Sequence, residues 1–308
     1  MIDTRVQLAP GNSKGLLLAN PVITASGTFG YGIETEIPFD VNLLGAIVCK
    51  GTTLEPREGN PQPRIVETVS GILNSIGLQN IGVERLIKEK APAWAKLKVP
   101  VIVNIAGATI DEYKSVVAKL DGVKGISGIE LNISCPNVKQ GGMEFGSNPA
   151  SAAEVTRAVR SATGLPLIVK LSPNVTDICA IALAVCDAGA DALTLINTLK
   201  GMAIDTNTGK PVLGNVFGGL SGPAIKPVAL SIVYRVAKVV KVPIIGCGGV
   251  WTASDAIEFF MAGASAVQVG SVTLHNPQAP LEIIQGIVQY LETKKFKSLK
   301  DIIGKAQL

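Results

Sequence analysis

One histidine, His275, is all that the 308 residues carry. The commonest proton-transfer side chain is nearly absent, so acid–base chemistry falls to Cys, Lys, Asp, Glu or Tyr. Aromatic residues are only 4% of the chain. None is interleaved with a basic stretch, which argues against a nucleic-acid surface. The five cysteines (49, 135, 179, 186 and 247) are odd in number and widely spaced. They point to a reducing, cytoplasmic compartment. No C-x-x-C occurs, so neither an iron–sulfur cluster nor structural zinc is expected on this chain, and no metal site is assigned. No apolar run reaches the ~20 residues of a membrane helix. The start, Met1 to Arg5, lacks the pattern of a secretion signal. No G-x-G-x-x-G follows an early strand, which argues against a dinucleotide crevice.

What is present is apolar and glycine-rich: 47% hydrophobic residues and 33 glycines, with a formal charge of +4. A chain of this size can bury roughly 75% of its unfolded surface. The basic cluster Lys294, Lys295, Lys297 and Lys300 reads as a solvated helix end. Eight short apolar runs of strand type recur: Val22–Ala25, Ala46–Cys49, Val101–Ile105, Ile129–Ile133, Leu167–Lys170, Ala192–Ile196, Ile244–Cys247 and Ala266–Val269. Their continuous apolar character fits strands buried on both faces.

Helical patterns alternate with these runs. They span Gly82–Ala95, Asp111–Leu120, Ala150–Ala162 after the Asn148 cap and Pro149, Thr176–Ala188, Ile225–Val240, Thr252–Ala262 and Pro280–Thr293. Gly189 and Gly263 serve as stops. Eight strands, each followed by a crossover, predict a single domain over 1–308: an α/β fold, a (β/α)8 TIM barrel. Val6–Pro10 and Gly15–Leu18 predict an N-terminal β-hairpin capping its bottom. Two connections, Gly51–Gln79 and Leu199–Gly222, are too long for bare loops. They predict insertions at the C-terminal face, where such barrels build their sites.

The residues at the strand ends carry the chemistry. In order they are Ala25-Ser26-Gly27, Lys50-Gly51-Thr52, Asn104, Asn132, Lys170, Asn197-Thr198, Gly248-Gly249 and Gly270-Ser271. Any one lysine could snorkel to solvent and any one asparagine could serve a turn. Two lysines and three asparagines on one rim point instead to a polar ligand. The glycines after strands seven and eight lie where this fold binds phosphate. Lys170 can offset negative charge on a reduced ring, and the small residues 25–27 let a flat ring approach the backbone. That set describes FMN better than a nicotinamide dinucleotide. Asn74–Asn80, with Asn132, Asn197, Thr198 and Lys50, suits a small planar anion rich in amides, such as a pyrimidine carboxylate. Asn132-Ile-Ser-Cys135-Pro-Asn137 places a thiol just past a strand end, followed by a glycine-rich stretch. Lys139–Gly146 is expected to form a lid hinged at Gly141, Gly142 and Gly146.

Asn132–Asn137 with its Gly-Gly-Met tail, Asn74–Asn80, Lys50-Gly-Thr52 and Gly246-Cys-Gly-Gly249 together resemble dihydroorotate dehydrogenase over essentially the whole chain. The resemblance implies a dehydrogenase that oxidises dihydroorotate to orotate in UMP synthesis. It implies catalytic roles for Cys135 as base, Lys50 and Lys170. It implies FMN contacts from Ala25, Ser26, Lys50, Gly51, Asn104, Asn132, Lys170, Ile196, Gly222, Gly248, Gly249, Gly270 and Ser271. Substrate contacts are implied for Lys50, Asn74, Ser75, Ile76, Gly77, Leu78, Asn132, Asn197 and Thr198. Cysteine rather than serine as base is similar to the soluble class 1. The continuation Val138–Gly142 resembles class 1B, whose NAD-linked catalytic subunit works with a partner carrying FAD and a [2Fe-2S] cluster, as a homodimer core within a heterotetramer. A fumarate-dependent class 1A enzyme is the alternative, and a lysine Schiff-base aldolase on the same barrel is a further one.

Overall fold

The computed structural model describes residues 2–134, 136–137 and 143–308. Eight parallel strands close into a barrel: β1 (Val22–Thr24), β2 (Ala46–Val48), β3 (Val101–Ile105), β4 (Gly128–Asn132), β5 (Leu167–Leu171), β6 (Ala192–Leu195), β7 (Ile244–Cys247) and β8 (Ala266–Val269). Neighbours in sequence are neighbours in the barrel. β8 pairs with β1 through Val267 and Val22, and β4 with β5 through Glu130 and Ile168. Closure leaves no strand edge unpaired. Every described residue of β1, β2, β3, β5, β6, β7 and β8 is buried. That is why these runs read as uninterrupted aliphatic segments.

Eight α-helices surround the barrel among the described residues: α1 (Val83–Glu89), α2 (Ala91–Trp94), α3 (Ile110–Leu120), α4 (Pro149–Arg160), α5 (Ile178–Asp187), α6 (Lys226–Ala237), α7 (Ala253–Ala262) and α8 (Ala279–Thr293). Their distribution corrects the regular alternation. β1 is followed by no α-helix, only a 3-10 turn, Val41–Leu43, capped by Asp40. The segment expected to be one helix over 82–95 is two, with Pro92 near the start of the second. Proline lacks the N–H that a continuous helix needs.

Helix starts follow their caps. Thr109, Asn148 and Asp177 accept backbone N–H groups at the first turns of α3, α4 and α5. Thr252 and Asp255 form a reciprocal capping box at α7. Lys294, Lys295, Lys297 and Lys300 are exposed beyond α8. No helix among the described residues is long and apolar enough to cross a membrane.

The N-terminal hairpin forms as an antiparallel pair, Val6–Gln7 with Leu17–Leu18. It lies at the bottom of the barrel. Leu16 packs near Gly128 at the start of β4, and Asn12 donates to Asp191 just before β6. At the opposite end the two long insertions do something not anticipated from either alone. Residues 65–68 and 71–74 of the first insertion, and 199–201 and 218–221 of the second, join in one four-stranded antiparallel sheet. Leu73 pairs with Leu220, and Gly71 is so close to the Ser221 carbonyl that no Cβ would fit. This shared sheet roofs the C-terminal mouth.

Replacing Thr252 with Ala removes one half of the α7 capping box. It should cost about 1 kcal/mol and lower the urea midpoint without changing the slope of the transition; an unchanged midpoint would contradict the assigned cap.

Candidate active site

Because all eight strands run in the same direction, their C-terminal ends share one rim. The rim and the roofing sheet enclose a cavity of about 500 Å³. Every residue assigned from sequence to cofactor or substrate lines it. That covers Ala25, Ser26, Lys50, Gly51, Asn104, Asn132, Lys170, Ile196, Asn197, Thr198, Gly222, Gly248, Gly249, Gly270 and Ser271, and the stretch Asn74, Ser75, Ile76, Gly77 and Leu78. Cys135 lies outside the described residues, as do Val138 to Gly142. The first half of the lid expected over Lys139–Gly146, with Gly141 and Gly142, falls on those positions. Its described end differs from a hinge: Gly146 is buried, donates to the Ile133 carbonyl at 2.8 Å and packs against the Ile133 side chain.

The loops after β7 and β8 form the wall beside the end of the first strand, with Gly270 against Ala25. Gly248 has φ +125° and Gly249 φ +76°, the left-handed region that favours glycine. Among the described residues, the backbone N–H groups of Gly248, Gly249, Gly270 and Ser271 donate to no protein acceptor, while lining the cavity. Four orphan donors around a glycine-built concavity are a cradle for an anion. The N–H groups of Trp251 and Thr252 are instead taken by Asp255.

The floor is a buried polar network that the sequence reading did not assemble. Glu130, on β4, is fully buried. It accepts from Asn104 Nδ2 at 2.7 Å, from Thr194 Oγ1 at 2.8 Å and from Gln268 Nε2. Lys170 Nζ lies 4.0 Å from Glu130 Oε1 and donates to Gln268 Oε1 at 3.1 Å. Burial works against the Lys170 charge, Cys247 and then Glu130 work for it, and the net direction is upward from the ordinary lysine value. The Cys247 thiol is itself pushed up by burial. Glu130 forms the ion pair with Lys170 across that 4.0 Å. Cys247, read from sequence as a core thiol, lines the cavity beside Lys170. Cys49 is inert core, its thiol pushed up to about 12 by burial, and Cys179 and Cys186 are half-buried on α5.

The upper part of the cavity is neutral and amide-rich. Asn197 Nδ2 donates to Asn132 Oδ1 at 3.2 Å, and Asn74 Nδ2 to the Gly219 carbonyl at 3.3 Å. Lys50 is half-buried. Burial and then the nearby Arg64 lower its pKa, against a smaller opposing pull from Glu34. The loop 74–80 is held in a tight reversal. Gly77 and Leu78 have φ +74° and +57°, a costly conformation for leucine. Asn80 secures it: its amide donates to the Leu78 carbonyl at 2.7 Å and to Thr53 Oγ1 at 2.8 Å. Asn80 is thus a loop anchor away from the cavity, not a ligand contact.

A family model described as dihydroorotate dehydrogenase matches residues 10–291. The chain belongs to the dihydroorotate dehydrogenase family. It is 60% identical over 291 residues to the dihydroorotate dehydrogenase B (NAD(+)), catalytic subunit, of Desulforamulus reducens, covering 94% of this chain and 96% of that one. It is 55% identical over 294 residues to the protein of the same name from Citrifermentans bemidjiense, covering 96% of each. The counterpart from Pelobacter propionicus is 56% identical over 293 residues, covering 95% of this chain and 96% of its own.

Within this dihydroorotate dehydrogenase site, sequence reasoning overlooked Glu130, Gln268 and Thr194. The signal was available. A charged or polar residue inside a strand that is otherwise aliphatic must find a partner across the barrel. Ile72, Phe217 and Leu274, apolar parts of the cavity wall, carried no such signal.

At Gly249 an added methyl would lie 2.6 Å from Lys226 Cβ. Gly249→Ala should destabilise the protein by roughly 1–3 kcal/mol in urea denaturation. Gly11→Ala, with open space around it, should stay within about 0.5 kcal/mol. Equal midpoints for the two variants would remove the case for a glycine-dependent cradle.

Proposed function

We propose that this chain oxidises dihydroorotate to orotate in pyrimidine biosynthesis, as the catalytic subunit of an NAD+-linked enzyme. One observation carries the reading. In a chain of this family, an orphan-donor anion cradle, a charged lysine and a neutral amide-rich roof open into a single cavity. The donor set fits FMN: four unpaired N–H groups suit a phosphate, and the small residues 25–27 leave room for a flat ring. Bound there, FMN would supply the acceptor for the hydrogen and electron pair leaving substrate C6.

The chain's own residues do the rest. Gly248, Gly249, Gly270 and Ser271 hold the phosphate. Ala25, Ser26, Gly51, Asn104, Asn132, Ile196 and Gly222 hold the remainder of the cofactor, with Lys170 at the ring edge. Lys50 pairs with the substrate carboxylate. Asn74, Ser75, Ile76, Gly77, Leu78, Asn132, Asn197 and Thr198 surround its ring and fix its orientation, which can contribute several kcal/mol. Cys135, assigned from sequence, takes the C5 proton as the C6 hydrogen departs with its electron pair, leaving the C5=C6 double bond of orotate.

Electrons then pass to a second polypeptide bearing FAD and a [2Fe-2S] cluster and on to NAD+, with catalytic chains paired as the core of a heterotetramer. A Schiff-base aldolase is disfavoured. That chemistry needs a neutral amine, and Lys170 is held as an ammonium beside Glu130.

The protein should purify yellow and bleach anaerobically with dihydroorotate. With the untagged partner present it should reduce NAD+ in preference to fumarate or quinone. A colourless protein that cannot be reconstituted with FMN refutes the cofactor assignment; fumarate as preferred acceptor would make it the class 1A enzyme. Cys135→Ala should keep FMN yet slow flavin reduction by about a hundredfold or more. In the native protein that rate should rise with pH through the thiol pKa, ordinarily about 8.5. A native rate in stopped flow for the alanine variant would displace Cys135 as base. Because the Lys50 pKa is lowered, the fraction charged falls earlier on the alkaline side than for an ordinary lysine. Orotate affinity should therefore weaken as pH rises toward 10, and Lys50→Ala should abolish that dependence in a binding titration.

A further inference from the structure

The barrel strands are mainly aliphatic, with a cluster of buried polar side chains toward their C-terminal ends. There β3, β4, β5, β6 and β8 contribute Asn104, Glu130, Lys170, Thr194 and Gln268. Glu130 has a donor on each oxygen: Asn104 on Oε1, Thr194 and Gln268 on Oε2. Three donors and a nearby ammonium form the surroundings of a carboxylate, not of a neutral acid. Glu130 itself does not line the cavity, whereas Lys170 and Gln268 do. The carboxylate lies beneath the lysine and faces it across 4.0 Å.

We infer that Glu130 is a positioning residue for the reaction: its carboxylate keeps Lys170 an ammonium and, through Gln268, steers that ammonium to the cavity floor. Gln268 bridges the two, accepting from Lys170 Nζ through Oε1 and donating to Glu130 through Nε2. The bridge fixes the Gln268 amide orientation, and that orientation fixes where the lysine points. Among the described residues, the titratable groups acting on Lys170 are Glu130 and Cys247. Cys49, just past β2, is close enough for its thiol to feel the Glu130 charge. Both thiols are pushed upward by burial, so neither supplies a negative charge at neutral pH. Without Glu130, burial would oppose the lysine charge with only Cys247 left to offset it, and the lysine pKa would fall. The consequence for a flavin rests on the function proposed above; the state of Lys170 does not.

The test has two arms. In FMN-free protein carrying 15N-labelled lysine, the Lys170 signal is assigned by its loss in Lys170→Met. In the native protein it should remain protonated to at least pH 10. In Glu130→Gln its pKa should fall by about two pH units or more. Glu130→Asp, which retracts the charge by one methylene, should give a smaller fall. Thr194→Val removes a hydrogen bond to the same carboxylate without altering its charge, and should leave the lysine titration in place even if thermal stability drops.

In FMN-loaded protein, the flavin midpoint potential of Glu130→Gln should acquire a break at the new lysine pKa, above which reduction becomes harder. Lys170→Met should show no such break. An unchanged Lys170 titration in Glu130→Gln overturns the inference, or in Glu130→Asp should the glutamine variant fail to fold. So does a potential–pH curve parallel to the native one. Failure of every variant, and of the native protein, to bind FMN would refute the cofactor assignment, while the lysine titration would still decide the role of Glu130.

Discussion

A carboxylate at the centre of an aliphatic barrel is tolerable only when each of its oxygens is answered, and Glu130 sets that requirement for five strands at once. Taking an ion out of water costs several kcal/mol even after relaxation. Hydrogen bonds to a charged group return about 1.5–3 kcal/mol each. The ion pair with Lys170 at 4.0 Å adds roughly 4 kcal/mol at an effective dielectric constant near 20. These magnitudes are of the same order, so the network is close to balance as a source of stability. What it imposes is geometry. Asn104, Thr194, Gln268 and Lys170 must converge on one point, which fixes the rotation of their strands about the barrel and presents the lysine to the mouth.

The same economy of placement operates above the rim. The first insertion supplies a hairpin, residues 65–68 with 71–74, whose outer edge would otherwise be open. The second supplies 199–201 and 218–221 to complete it. Backbone hydrogen bonds across this sheet tie the loop after β2 to the loop after β6, on opposite sides of the mouth. Asn74 ends one strand of the sheet and Thr198 directly precedes another, so cavity-lining side chains sit on paired backbone and not on free loop. Close contacts at Gly71 and at Gly219, where a Cβ would run into Thr198, show why glycine recurs at this joint. The enclosed volume is lined by donors on the cradle side and amides on the roof side. That polarity division suits a phosphate-bearing cofactor under a small planar anion.

Much of this was legible in the chain. Uninterrupted aliphatic runs announced strands buried on both faces, and all eight lie within a residue or so of where the pattern put them. Asn148 before Pro149 marked the start of α4, since a cap is a local hydrogen bond. Rim residues were legible because strand polarity in a parallel barrel puts every C-terminal end on one face. The missing helix after β1 and the break at Pro92 were not: the former leaves no periodic signature, and the latter was overridden by the apolar spacing around it. Cys247 read as core from its neighbours, although it faces the cavity beside Lys170.

The sequence by itself determined the barrel, its polarity, the glycines at its rim and membership of the dihydroorotate dehydrogenase family, because each rests on local hydrogen bonding or on runs of side chains adjacent in the chain. Only the tertiary structure decided that two insertions about 120 residues apart form one sheet, that Asn80 anchors a loop while Asn74 faces the cavity, and that Glu130 stands beneath Lys170. Those facts depend on contacts between residues distant in sequence. Such contacts acquire meaning only when barrel closure brings β4, β5 and β8 to a common axis and removes the water that would otherwise screen them.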